Sequence, residues 1–196
     1  MARTTFTRFS IAATVLGLSA STAFAHTGHG AEGFVHGFMH PVGGLDHLLA
    51  MLASGLLGAI IGGKARWLVP ATFIAAMVLG GILGASGFQL PLVEAMIAAS
   101  VVVLGALAAY GTSLRLGFIL PVIGGFALFH GFAHGAEMPA DVSGFEYAMG
   151  FISATALLHA TALAAFVASA HIWSSKHFTR VAGAAVALAG AGLVLR

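Results

Sequence analysis

Long runs without a charged side chain constrain this chain more than any other feature. Residues 48–63 and 116–129 form two such runs, sixteen and fourteen residues long. Only 7% of the residues are charged, whereas soluble domains carry about 25%, so the chain could not cover a water-facing surface. Its richness in Ala, Leu and Gly, without alternation of polar and apolar residues, favours helices over strands. We therefore predict an all-α integral membrane protein.

The first 25 residues have the pattern of a secretory signal peptide. Two arginines and a short apolar core precede the sequence Ala-Phe-Ala at 23–25, which matches a cleavage site. Cleavage there would leave a mature chain that begins at His26, outside the cytoplasm. An uncleaved first membrane helix is the alternative. We accordingly divide the chain into a signal peptide, 1–25, and one six-helix transmembrane domain, 26–196.

Six apolar segments follow the leader, separated by short polar or glycine-rich turns. A helix needs about 20 residues, at about 1.5 Å each, to cross the roughly 30 Å hydrocarbon core of a bilayer. The predicted membrane-spanning segments are 36–62, 67–86, 90–112, 116–136, 145–171 and 179–195.

Basic residues occur on alternate turns of this arrangement. They accompany the turns after the first, third and fifth segments, at Lys64, Arg66, Arg115, Lys176 and Arg180, whereas the turns after the second and fourth contain no Lys or Arg. Because cytoplasmic turns carry the excess of positive charge, this bias agrees with an external mature N-terminus. It predicts a multi-pass protein of the bacterial inner membrane with both mature termini in the periplasm.

Small residues four apart recur within the predicted segments. They occur as Gly58/Gly62, Gly80/Gly84, Gly105/Ala109 and Gly183/Ala187. Such spacing allows helix backbones to approach closely inside a membrane, so the pattern favours a compact bundle.

The first segment opens with an unusual polar cluster. His36 and His40 are four residues apart, and His47 follows seven residues after His40, with Asp46 beside it. The three imidazoles would share one face of a continuous helix. Gly43-Gly44 could break that helix and change which donors converge.

A second polar cluster ends the fourth segment. His130, His134 and Glu137 are spaced four and three residues apart, so one helical face would carry all three. The uncharged runs inward of the two clusters rise only about 24 and 21 Å, short of a roughly 30 Å core. Both clusters should therefore enter the membrane, and the predicted topology places them at the same external side.

The chemistry of the two clusters favours a metal. Imidazole and carboxylate donors suit divalent nickel, cobalt, copper or zinc, and the chain has no cysteine to supply thiolate. A hydrogen-bonded network that seals a helix interface is the alternative. Three further polar residues are candidates for the same pathway: His36, Glu94 in the outer part of the third segment, and His159 near the middle of the fifth. Met51 lies four residues after His47, where a packing role is expected.

The two clusters resemble the signatures of the HupE/UreJ family of nickel permeases. The patterns are HxxxxxDH at 40–47 and FHGxAHGxE at 129–137, and the resemblance extends over the whole chain. It implies uptake of nickel, or of cobalt, for a nickel enzyme such as hydrogenase or urease. It also implies that six residues are needed for uptake: His40, Asp46, His47, His130, His134 and Glu137.

These patterns leave other functions open. A metal-bound water with Asp46 or Glu137 as base would make an intramembrane metalloenzyme, and histidines on facing helices could bind haem. The resemblance favours a transporter that is not an enzyme and has no permanent cofactor, with the divalent ion as its substrate. Expected partners are the lipid bilayer, a second copy in a homo-oligomer and, indirectly, a metallochaperone or the nickel enzyme, but no nucleic acid.

Overall fold

The computed structural model describes residues 32–111, 114–169, 172 and 174–195. Within them the chain forms seven helices and no strand. The helices are α1 (Glu32–Gly43), α2 (Leu45–Ile61), α3 (Ala65–Ala85), α4 (Val93–Tyr110), α5 (Leu116–Ala136), α6 (Gly144–Ser169) and α7 (Ser175–Val194). The predicted signal peptide, 1–25, lies outside the described residues.

Five of these helices, α3 to α7, are long and apolar enough to cross a membrane individually. α1 and α2 meet that criterion only as a pair, and they are bent by 82° at Gly44. The 17 residues of α2 rise about 25 Å, and α1 turns too sharply to extend it. The predicted segment 36–62 is therefore two helices, and the condition for His36, His40 and His47 to share one helical face is not met.

The other predicted segments agree with observed helices. The segment 116–136 coincides with α5 at both ends, and the remaining four differ by a few residues. These boundaries were predictable because charged or glycine-rich turns interrupt each apolar run.

Helix α2 occupies the centre of the bundle and contacts α3, α4, α6 and α7. Its buried residues surround the whole circumference rather than one stripe, as expected of a helix enclosed by others. The most extensive pairings join α3 to α5, α4 to α7, and α1 to α6. α1 thus rests on α6 although it precedes α2 in the chain.

Glycines allow the outer helices to pack backbone against backbone. A Cβ at Gly80 or Gly84 of α3 would collide with α5 carbonyls, and a Cβ at Gly131 would collide with the Met77 carbonyl of α3. Gly105 and Gly183 make the same kind of contact between α4 and α7. Three of the four predicted pairs therefore lie at helix interfaces. The fourth, Gly58/Gly62, does not, because Gly62 ends α2 with a positive φ of 73° and a Cβ there would meet nothing nearer than 4.0 Å.

Candidate metal-binding site

The break between α1 and α2 shapes the site. Gly44 precedes α2 with an extended backbone (φ −94°, ψ 118°), and the 82° bend turns His40 back over the start of α2. A Cβ at Gly44 would lie 3.0 Å from Asp46 Oδ1 and 3.2 Å from His47 Nδ1. The absence of a side chain at Gly44 therefore leaves room for the Asp46–His47 pair that follows the bend.

Three buried histidines form the centre of the site: His47 of α2 with His130 and His134 of α5, here called the histidine cluster. The His47 ring centroid lies 4.7 Å from that of His130 and 4.8 Å from that of His134. His130 and His134 are fully buried, and His47 is 8% exposed. The structure thus brings the two predicted polar clusters together across α2 and α5.

Two histidine–carboxylate pairs border the histidine cluster. His40 Nε2 lies 3.1 Å from Glu137 Oε2, and the His40 ring packs 4.7 Å from that of His134. His47 Nδ1 lies 2.8 Å from Asp46 Oδ1. Glu137 stands at the C-terminal end of α5, where the helix dipole disfavours a carboxylate, so its pairing with His40 compensates for an otherwise unfavourable position.

These contacts fix the tautomer of two histidines. His47 Nδ1 donates to Asp46, which leaves Nε2 as the lone-pair nitrogen. The Ser100 hydroxyl donates to the Ile97 carbonyl at 2.6 Å and therefore accepts from His130 Nε2 at 2.8 Å, which leaves His130 Nδ1 as the lone-pair nitrogen. A partner on one ring nitrogen that orients the other is the usual arrangement around metal-bound histidine.

The ring nitrogens left over are buried without a hydrogen-bond partner among the described residues. They are His47 Nε2, His130 Nδ1 and both nitrogens of His134. A buried polar atom without a partner costs about 1–3 kcal/mol. These four nitrogens are therefore the atoms of the cluster that are available to bind a further species.

A cavity of about 510 Å³ opens beside the histidine cluster. Its lining includes the carboxylates of Asp46, Glu94 and Glu137, together with His40 and the exposed His36. Glu94 reaches it from the first turn of α4. The two predicted additional residues His36 and Glu94 therefore share one acidic cavity with the motif residues.

The donors are not yet arranged around a single point. Among the described residues, no group of three or more histidine and carboxylate side chains could hold a metal ion as they stand. The two pairs would have to separate, and the imidazoles rotate, for several donors to reach one ion. In this geometry the carboxylates of Glu137 and Asp46 are paired to His40 and His47.

His159 lies apart from this cavity. It is 3% exposed in the interior of α6, and its ring packs 5.1 Å from that of Phe73. Neither ring nitrogen has a hydrogen-bond partner among the described residues.

Two residues that contact the site histidines were not predicted from the sequence. Ser100 supports His130 from α4, thirty residues away, and the Phe151 ring of α6 stacks on His134 at 5.3 Å. Neither lies in a motif with the residue it contacts, so no sequence signal pointed to them.

The fold and the site define a multi-pass helical membrane protein with buried histidines beneath an acidic cavity. The family described as HupE / UreJ protein matches residues 13–193. Protein HupE of Rhizobium leguminosarum bv. viciae is 43% identical over 176 residues, which cover 89% of this chain and 91% of that protein. The chain therefore belongs to the HupE/UreJ family, as its two motifs predicted. No solved structure matches it.

Proposed function

We propose that this protein carries out secondary uptake of a divalent transition-metal ion, with nickel as the preferred substrate and cobalt as the alternative. The observation that carries the proposal is the set of unpartnered, buried imidazole nitrogens beneath a cavity with three carboxylates. Imidazole with carboxylate suits these borderline ions. Membership in a family associated with nickel or cobalt transport for hydrogenase or urease supports the same conclusion.

The first step is capture in the acidic cavity. Carboxylates of Asp46, Glu94 and Glu137 attract the hydrated cation, and partial loss of water exposes it to imidazole donors. Separation of His40 from Glu137 opens the way to the histidine cluster. His47 and His130 are then already in the tautomers that offer the lone pairs of Nε2 and Nδ1, respectively, to the ion. His159, deeper in α6, would receive the ion next.

The proposed orientation follows from the charge bias of the turns. The bent pair counts as one crossing of the bacterial inner membrane, so the chain makes six, with the mature termini in the periplasm after loss of the leader. The acidic cavity then faces the periplasm, where an importer meets its substrate. The opposite end of the bundle faces the cytoplasm, where a metallochaperone or nickel enzyme receives the ion.

We propose that the metal-ion gradient drives transport by facilitated diffusion, or that a proton gradient drives it by coupling. The sequence has no GxxxxGK[ST] nucleotide-binding loop, and we propose transport rather than catalysis by this chain. Imidazoles as a class change charge between about pH 5 and 8. Because His47 and His130 already present a lone pair to the ion, coupling to protons requires another histidine of the pathway to release one.

Radioactive nickel accumulation in proteoliposomes, with a pH gradient imposed or removed, tests this function. Asp46→Ala and His130→Ala should each abolish accumulation, because the first removes the acceptor that orients His47 and the second removes a fully buried donor. His177→Gln, near the start of α7 at the other end of the bundle, is the matched control and should retain accumulation.

Normal uptake by both site variants, at normal membrane abundance, would contradict the site assignment. Excess cobalt in the same assay should compete with nickel. Cobalt accumulation stronger than nickel accumulation would reassign the substrate and leave the site unchanged.

A further inference from the structure

A layer of sulfur and oxygen donors lies directly beneath the histidine cluster. Met51 of α2, Met77 of α3 and Thr155 of α6 all have zero exposure. The Thr155 hydroxyl oxygen lies 3.4 Å from the Met51 sulfur and 3.7 Å from the Met77 sulfur. Two thioethers from different helices thus converge on one hydroxyl in the interior of the bundle.

This layer stands one helical turn from histidine on either side. Met51 follows His47 by four residues in α2, and Thr155 precedes His159 by four residues in α6. The helices are in register, because a Cβ at Gly55 would lie only 2.7 Å from the His159 Cα. One turn rises about 5.4 Å, so the layer bridges the histidine cluster and His159.

The hydrogen bonds of the layer are incomplete. The Thr155 hydroxyl donates to the Phe151 carbonyl at 2.7 Å, and a hydroxyl has one proton to give. Its oxygen lone pairs therefore face two sulfur atoms that are themselves only acceptors. Three lone-pair donors in contact with no proton between them form a suitable environment for a cation.

The distances from the Thr155 oxygen to the two methionine sulfurs also fit the binding of one shared metal ion. A zinc-sized ion lies about 2.1 Å from an oxygen ligand and about 2.3 Å from a sulfur ligand. If the angle between those two bonds is square or tetrahedral, the oxygen and the sulfur lie about 3.1–3.6 Å apart. The observed 3.4 and 3.7 Å require only small side-chain shifts. Thioether is a soft ligand that disfavours magnesium, calcium and manganese.

We propose that Met51, Met77 and Thr155 form a transit site that passes a dehydrated soft or borderline metal ion from the histidine cluster to His159. This inference rests on the proposed transport function. The layer is electrically neutral, which suits transit, because conduction requires binding that is favourable enough to enter and weak enough to leave.

Sulfur ligation can be detected directly, because the chain has no cysteine and every metal–sulfur bond must involve methionine. Purified protein loaded with Cu(I), a soft probe of thioether sites, should show sulfur in the first coordination shell by X-ray absorption. The double variant Met51→Leu/Met77→Leu should lose that sulfur shell. Met149→Leu, on an exposed part of α6, is the matched control and should keep it.

Nickel uptake by the same variants gives the functional test. Leucine conserves volume, so the double variant should keep its membrane abundance and thermal stability. Its maximal uptake rate should fall at least about tenfold, the scale seen when a partner of a metal ligand is removed. The half-saturating nickel concentration should stay unchanged, because the outer donors are intact.

The outcomes separate this site from the proposed function. A sulfur shell that persists in the double variant, or full-rate uptake by that variant, would overturn the transit site. Failure of the unsubstituted protein to accumulate either nickel or cobalt would overturn the transport proposal, and the Cu(I) spectra would still decide whether the two sulfurs bind metal.

Discussion

At the residue scale, the site depends on partners that orient imidazoles. Asp46 fixes His47 and Ser100 fixes His130, each leaving one buried nitrogen available. Asp46 belongs to the motif, but Ser100 comes from α4. Loss of such a partner affects the metal ligand without altering the ligand itself.

Replacing Ser100 with Ala should therefore weaken substrate binding. His130 would no longer be held in the tautomer that exposes Nδ1, and we expect the half-saturating nickel concentration to rise about tenfold. Concentration-dependent uptake measures this, with Ser100→Thr expected to restore the hydroxyl and the affinity. Ser153→Ala is the control, since Ser153 donates to the Met149 carbonyl of its own helix. An unchanged nickel dependence in Ser100→Ala would show that Ser100 does not position His130.

At the element scale, contacts between α3 and α5 hold the histidine cluster and the proposed transit site in place. The Met77 side chain belongs to the transit site. Its backbone carbonyl adjoins Gly131, which lies between His130 and Phe132 in the second motif. Gly131 is thus part of the motif for packing, because any side chain there would separate the two helices.

Gly131→Ala should destabilise the bundle by about 1–3 kcal/mol, the usual cost of overpacking. Thermal unfolding of the detergent-solubilised protein measures the effect. Gly125→Ala, on the same helix with nothing within 4 Å of the added methyl, should change stability by no more than about 1 kcal/mol. Equal melting temperatures for the two variants would contradict this assignment of the α3–α5 interface.

At the scale of the whole molecule, charge is divided between the two ends of the bundle. The end with the histidine cluster carries all six acidic residues of the chain, Glu32, Asp46, Glu94, Glu137, Asp141 and Glu146. The opposite end carries the five basic residues of the described ranges, at Lys64, Arg66, Arg115, Lys176 and Arg180. An acidic opening raises the local concentration of cations, and a basic end is retained in the cytoplasm.

The absence of cysteine from the sequence makes this orientation directly testable. In intact cells, a membrane-impermeant maleimide should label Asp141→Cys, in the turn before α6, but not Lys64→Cys, in the turn before α3. Lys64→Cys should react only after the membrane is permeabilised. The unsubstituted chain gives the background, and the reverse labelling pattern would invert the proposed topology.

Much of the fold was predictable from local pattern. The α5 boundaries could be predicted to the residue because an uncharged run lies between Arg115 and Glu137, and the i, i+4 spacing of His130 and His134 survives in any helix. The bend at Gly44 was identified only as an option. Glycine permits a break without requiring one, and the contacts of α1 with α6 decide the angle.

The helical membrane class, the family, the alternation of charge between turns and the two groups of polar donors were all predictable, because each depends on residues close together along the chain. Three contacts became known from the folded structure alone: His40 meets Glu137, Ser100 sets the tautomer of His130, and Met51 and Met77 converge on Thr155. These contacts join helices separated by 30 to 104 residues. Their geometry depends on how the helices pack, and local sequence carries no record of that.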